Sequence, residues 1–228
     1  ISSPRALAAF RVTFTAAAIA TLINALYGLL MAWVLVRYDF PGKRILDALM
    51  DIPFALPTAV AGLSLTALYG PTGWFGAPLE AGGVKVVYTL AGIALAMAFT
   101  SIPFVVRTVQ PVLEDLDPAM EQAALTLGAK PFTIFRRVIF PSILPAWLAG
   151  CTIALARSLG EFGAVVFIAG NLPFNTEIAA LLAFIRLEEY DYTGASAIAL
   201  ALLLAALVLL AVSNLLQSWA MRHKGAAR

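Results

Sequence analysis

The chain has 228 residues, 61% of them hydrophobic and 12% charged, with a mean hydropathy of +0.90. A soluble domain carries about 25% charged residues, so these charges are too few to cover a 24.2 kDa globule and the excess apolar side chains must face lipid. A net charge of +2, spread along the chain, makes no case for nucleic acid, and with His223 and Cys151 each the only residue of its type there is no zinc set, disulfide framework or Ser/His couple.

Runs of about 20 apolar residues cross a bilayer, and five stretches qualify: 12–36, 52–70, 86–107, 142–169 and 194–220. The second contains Pro53 and Pro57, and the third is expected to end near Pro103. Proline in a span frees backbone carbonyls that only protein or a cavity can satisfy, so these positions should face protein. Lysine and arginine concentrate in cytoplasmic loops. Arg37, Lys43, Arg44, Arg107, Lys130, Arg136, Arg137, Arg222, Lys224 and Arg228 fall on one side, against Arg5, Arg11, Lys85 and Arg186 on the other. That bias places the C-terminus in the cytoplasm. Five spans then leave the amino-terminal end outside, with Ser2, Ser3 and Pro4 in an external loop. Together with a first residue that is Ile1, this raises the expectation of a further span before it.

Between the third and fourth stretches runs VQPVLEDLDPAMEQAALTLGAKPFTIFRRVIFP, residues 109–141. Asp117 followed by Pro118 is a helix start: a carboxylate to cap free N–H groups, then a proline whose missing donor costs nothing at the first position. Good helix formers follow, Gly128 can take the left-handed conformation that closes a helix, and Pro131 opens a second one. The small face of Ala119, Ala123 and Ala124, flanked by Met120 and Leu127, suits a groove on another protein. The alternative is a helix lying on the membrane surface, but Glu114, Asp115, Asp117 and Glu121 would be repelled by anionic headgroups.

In this segment Gln122, Ala123, Ala124, Gly128, Val138, Phe140 and Pro141 resemble the E-A-A, x3, G, x9, I-x-L-P signature of permease subunits of bacterial ABC importers. The resemblance implies that this cytoplasmic loop docks on an ATP-hydrolysing subunit through Glu121, Gln122, Ala123, Ala124, Gly128 and Pro141. The motif's glutamate falls on Gln122, with Glu121 one place earlier, a rotation of about 100° on a helix. The stretches 39–62, 102–116, 156–171 and 184–199 are similar to sulfate and thiosulfate importer permeases, and 156–164 also to molybdate permeases. Family members have six spans.

Arg157 and Glu161 lie four residues apart in the fourth stretch, on one helical face. Each costs about 2.5 to 3.5 kcal/mol at a membrane centre, so a partner or a use is expected. They either line the route of an anion, as a translocation path or gate, or form a helix-to-helix bridge; Gly160 and Gly163 beside Glu161 would admit a second helix closely. Outside the spans, Glu188, Glu189 and Asp191 form an acidic cluster that would repel a free anion. It reads as a docking surface for a binding protein or as a solvated rim. Residues 177–187 are too short to cross and suit a re-entrant or interfacial helix. Cys151 reads as a small buried apolar side chain and His223 as a tail residue.

The expectation is an all-α polytopic membrane protein: one permease domain over 1–228, with 109–141 as its coupling loop. By resemblance it is the permease of a sulfate or thiosulfate ABC importer in a bacterial inner membrane. Its implied partners are cytoplasmic ATP-binding subunits, a second homologous permease, a periplasmic sulfate- or thiosulfate-binding protein and membrane lipid. No metal, cofactor or catalysis is expected on this chain. A molybdate or tungstate permease is the nearest alternative, and an ion-driven secondary transporter, which would show inverted repeats, is the alternative of another class.

Overall fold

The computed structural model describes residues 3–225, with side chains up to 212 and at 215. Ile1, Ser2 and Arg228, and the side chains of Arg222, His223 and Lys224, lie outside the described residues. Among the described residues the chain is helical without strands. Helix α1 spans Pro4–Arg37, α2 Lys43–Met50, α3 Ile52–Ala55, α4 Thr58–Tyr69, α5 Gly76–Ala81 and α6 Leu90–Glu114. Then follow α7 Pro118–Thr126, α8 Pro131–Ile134, a π turn Phe135–Ile139, α9 Phe140–Leu159, α10 Gly163–Ile168, α11 Ala179–Glu188 and α12 Tyr192–Gly225.

Among the described residues, four helical stretches are long and apolar enough to cross a membrane: Pro4–Arg37, Leu90–Glu114, Pro131–Leu159 and Tyr192–Val212. The expected span 52–70 is instead broken. Leu56, ahead of Pro57, is driven out of the helical region to φ −88°, ψ 136°, and α4, at about 1.5 Å per residue, reaches only about 18 Å. The expected span 142–169 is likewise divided at 160–162 into α9 and α10. The third does not end at Pro103: α6 runs through Pro103 and Pro111 to Glu114. Pro103 is buried, as expected, but Pro53 is half-buried and Pro57 exposed. Ser3 and Pro4 belong to a helix start rather than a loop, since the Ser3 side chain caps the Ala6 N–H and Pro4 is the first helical residue.

Helix α1 is apolar on every side, yet it buries one stripe: Ala6, Ala9, Thr13, Ala16, Ala17, Ala20, Asn24, Gly28, Ala32 and Leu35. Steps of three and four residues keep these on one face. Their small size lets backbones approach where lipid supplies no hydrophobic drive between helices. Helix α6 lies along this stripe; a Cβ added to Gly28 would stand 2.7 Å from Cβ of Val105. The other flank of α1, with Leu22, Leu26 and Leu30, is exposed, as is the run Leu200, Leu203, Leu204 and Leu207 on α12. In a chain with so few charges these are lipid-facing surfaces.

Several polar groups between the long helices find partners in the protein. Asn24 donates to the Ala98 carbonyl at 3.1 Å and to Ser101 Oγ at 2.8 Å, and Ser158 Oγ lies 3.1 Å from Ser101 Oγ, so α1, α6 and α9 share one buried polar seam. Trp147 Nε1 donates to the Ala25 carbonyl at 2.8 Å. Thr13 Oγ1 donates to Ala9 and accepts the free N–H of Ala179, closing the first turn of α11 from α1. Gly28→Val should destabilise the fold by about 1–3 kcal/mol through overpacking against Val105. Denaturant unfolding in detergent checks this, with Leu22→Val, on the exposed flank, expected to stay within about 0.5 kcal/mol of the parent.

Candidate functional site: an exposed elbow and a split helix

The segment 115–141 leaves the helical body as an elbow. Asp117 Oδ1 accepts the Ala119 N–H at 2.9 Å and Pro118 is the first residue of α7, as its sequence requires. At the far end the Gly128 N–H bonds to Leu125 O and the Ala129 N–H to Ala124 O, with Gly128 at φ 78°. This pairing is the left-handed closure that occupies the last carbonyls of a helix. No residue of α7 is buried. Met120 and Leu127 are exposed, at 43% and 88%, together with Ala119, Gln122 and Ala123.

The expected small face of α7 is divided. Ala124 turns inward and packs on a core of Met31, Leu35, Val109, Leu113 and Ile139, while Ala119 and Ala123 face out. Glu121 also turns inward: its Oε1 accepts from Nη2 of Arg37, the last residue of α1, at 2.5 Å. Gln122 is exposed. The register difference read in the sequence therefore has a structural consequence, because the carboxylate addresses the protein's own helix and the amide addresses solvent.

Pro141 follows the π turn Phe135–Ile139. A proline in a helix withholds a donor and crowds the carbonyl four residues back. The wider turn, in which Phe140 N–H reaches back to Phe135 O, carries the chain through this point into α9 without ending the helix.

Arg157 and Glu161 do form an ion pair, at 2.8 Å, but not along one continuous helix. Arg157 is in the last turn of α9, whereas Glu161 lies in the break before α10. Its Oε1 accepts the Ala164 N–H at 2.9 Å, so the carboxylate caps α10. Each charge thus sits at the helix end whose dipole favours it. The carboxylate is 1% exposed and the guanidinium 35%. Beyond the break α10 packs on α4 at backbone distance: a Cβ on Gly62 would meet Ala164 O at 2.3 Å, and one on Gly163 would meet Thr58 Oγ1 at 2.1 Å. The expected close approach holds for Gly163. At Gly160 the nearest atom is Arg157 O at 3.9 Å, within the same helix end.

The acidic cluster is partly neutralised. Arg186 reaches Glu189 at 3.3 Å and Asp191 at 3.8 Å, and Asp191 also caps the Gly194 N–H. Glu188 is exposed. The segment expected to be too short to cross holds the ten-residue α11. Cys151 is half-buried among apolar residues.

Two arginine clusters were not foreseen as such. Arg5 grips buried Glu177 with two bonds, Nε at 2.9 Å and Nη2 at 2.6 Å, tying the start of α1 to the segment before α11. Arg107, well inside α6 rather than in a loop, spends its donors on Asp47, Asp51, Gln110 and the Asp47 carbonyl, at 2.6 to 2.9 Å. It fastens the amphipathic α2 to α6. A sequence signal existed in Asp47 and Asp51, four residues apart on one face, but not the identity of their partner. In the preceding loop, the Lys43 ammonium bonds Asp39 and holds that carboxyl below its ordinary range.

Comparison with known proteins places these features in a family. Residues 24–223 match the model of the binding-protein-dependent transport system inner membrane component. The sulfate transport system permease protein CysT of Salmonella typhimurium is 56% identical over 218 residues, 96% of this chain and 79% of the relative. The protein of the same name from Synechococcus elongatus is 51% identical over 224 residues, covering 98% and 81%. Among solved structures, a bacterial ABC transporter involved in the import of the acidic polysaccharide alginate superposes with a TM-score of 0.78 at 16% identity, over 95% of this chain and 80% of that one. The MetNI methionine ABC transporter does so at 0.65 and 16%, over 94% of each. Matched along most of its length, the chain belongs to the family of binding-protein-dependent transport system inner membrane components.

Proposed function

We propose that this chain is the permease subunit of an ATP-driven sulfate and thiosulfate importer in a bacterial inner membrane. The observation that carries the reading is its high identity with sulfate transport permeases across nearly the whole chain. The scarcity of charge agrees with a path that passes an anion without retaining it. ATP hydrolysis resides on cytoplasmic partner subunits, and a second homologous permease completes the path. A periplasmic sulfate- or thiosulfate-binding protein delivers the anion, and the C-terminus is cytoplasmic.

In this mechanism α7 is the coupling helix. The whole segment 109–141 is the coupling loop of a single permease domain. It presents an apolar, largely uncharged surface of Ala119, Met120, Ala123 and Leu127 with Gln122, suited to a groove on the ATPase. When the ATPase subunits close on ATP, α7 moves with them as a rigid body because Asp117 and Gly128 fix its two ends, and Pro141 passes the motion into α9 through the π turn. The break at 160–162 lies at the far end of α9, where α4 and α10 pack. Arg157 and Glu161 act there as a staple that sets the angle of a gate. Glu188, exposed beside the Arg186 cluster, with Glu189 and Asp191, forms a rim for positive residues of the binding protein.

Three outcomes test this reading. In vesicles holding the assembled transporter, uptake of labelled sulfate should require ATP. It should be abolished by excess unlabelled sulfate or thiosulfate and resist the same excess of molybdate; competition by molybdate would instead assign the alternative oxyanion. Gly128→Val forces a β-branched residue into a left-handed conformation and should remove uptake and the ATPase stimulation by loaded binding protein, while membrane insertion persists. Unimpaired uptake in that variant would sink the coupling role. Arg157→Met leaves a buried carboxylate unpaired and should cost about 3–5 kcal/mol of stability. Adding Glu161→Gln, which keeps an acceptor for Ala164, should recover most of it; no recovery with normal assembly and altered anion preference would move the pair from staple to pathway.

A further inference from the structure

The surface of α7 that turns inward meets the body of the protein at a contact unlike the two other long-range arginine contacts among the described residues. Arg5 offers Nε and Nη2 side by side to Glu177 and both are taken. Arg107 has every nitrogen engaged. Arg37 engages Glu121 through Nη2 alone; its Nε is buried and lacks a hydrogen-bond partner among the described residues. A guanidinium fork is built to receive both oxygens of a carboxylate, so the Arg37–Glu121 contact is half made.

Arg37 is held from behind. Its guanidinium lies over the ring of Trp33, 5.1 Å from the centroid, a cation–π arrangement. Trp33 in turn meets Phe135 of the π turn edge to face at 5.3 Å. The end of α1, the elbow and the start of α9 therefore converge on one cation. From Arg37 the buried stripe of α1 continues along one helix and packs with α6 from Leu35 to Ala16, so a displacement at this point is carried along a rigid element rather than absorbed in a loop.

We infer that Arg37 is a positioning residue that transmits the movement of α7 to α1 through Glu121, by a contact that passes from one hydrogen bond to two as the elbow is drawn over by the ATPase. The inference rests on α7 being the docking helix. It assigns the two residues at the motif's start different tasks: Glu121 faces the membrane domain and Gln122 faces the partner. Stacking on Trp33 keeps the guanidinium plane aligned while its fork is half occupied, and the idle Nε gives the contact a second, better-bonded position to move into.

The test uses the complete transporter, with both permeases, ATPase subunits and binding protein, in proteoliposomes, and reads ATP hydrolysed per sulfate taken up. Glu121→Gln and Arg37→Met should each raise that ratio about tenfold, the scale of one hydrogen bond to a charged group, while the ATPase subunits still co-purify. The exchanged pair Arg37→Glu with Glu121→Arg should return the ratio to within about twofold of the parent, as coupled partners do in a double-mutant cycle. Arg37→Lys, with charge but no fork, should fall between. An unchanged ratio in both single variants, or an exchanged pair no better than either, overturns the role of Arg37, as does loss of the ATPase subunits in Glu121→Gln, which would turn that carboxylate toward the partner. Docking is read separately, by cross-linking from Gln122→Cys to the ATPase in an otherwise unaltered complex. Failure there overturns the docking helix and this inference with it, whereas cross-linking without rescue overturns only the transmission through Arg37.

Discussion

The carboxylate of Glu161 meets two demands of a helix interrupted within an apolar chain. Where α9 stops, its last carbonyls lose their helical partners, and where α10 starts, its first N–H groups do the same; away from water such groups cost several kcal/mol each when left bare. Glu161 takes the Ala164 N–H with one oxygen and places the other 2.8 Å from Arg157, whose charge stands at the carbonyl end of α9. The carboxylate, 1% exposed, would not be tolerated alone. As a pair at opposed helix ends they make the break a defined corner. The short α10 is then aimed at α4, and Gly62, Gly163 and Thr58 allow the two half-helices to touch at backbone distance.

The same principle recurs wherever a long helix must be joined to a short element. Arg5 ties α1 to Glu177, Arg107 ties α6 to α2, and Arg37 ties α1 to α7. Arginine serves because its charge is permanent and its planar donors reach carboxylates and carbonyls together, so desolvating it is offset by several directed bonds. The polar seam of Asn24, Ser101 and Ser158 does the equivalent task between long helices with neutral groups, where a charge would be costlier. Polar residues in this chain thus sit at corners and seams, and the lipid-facing flanks of α1 and α12 are left apolar.

What was legible in the sequence was what local chemistry determines. Asp117-Pro118 and Gly128 delimit α7 because a cap and a left-handed residue act within a few positions of themselves, and the segment needs no distant contact to form. The break at Leu56–Pro57 was half legible: the proline was seen, but a hydropathy run crosses it without a dip, so one span was read where two short helices stand. The division at 160–162 escaped for the same reason, since Gly160 and Phe162 are as apolar as a helix interior and the interruption is stabilised by a capping bond that periodicity does not register. The stripe on α1 was hidden because Ala and Leu count alike as apolar; size, not hydropathy, distinguishes its buried face. The carboxylate partners of Arg107 and Arg37 lie 56 to 84 residues away in sequence, and only the packing of α2 on α6 and of α7 on the end of α1 brings them together.

The contrast between Arg107 and Arg37 separates what is fixed in this molecule from what can move. A guanidinium with all its donors engaged resists displacement, because any rotation breaks bonds in surroundings with little water to replace them. Helices α2 and α6 are therefore one unit on the elbow side of the protein. Arg37 has an aromatic face behind it and a single bond in front, so α7 can turn about that bond while the stack on Trp33 keeps the cation in place. In a chain with this few charges, the degree to which each long-range arginine is satisfied ranks its joints by stiffness, and the least satisfied of the three contacts holds α7, which buries no residue of its own.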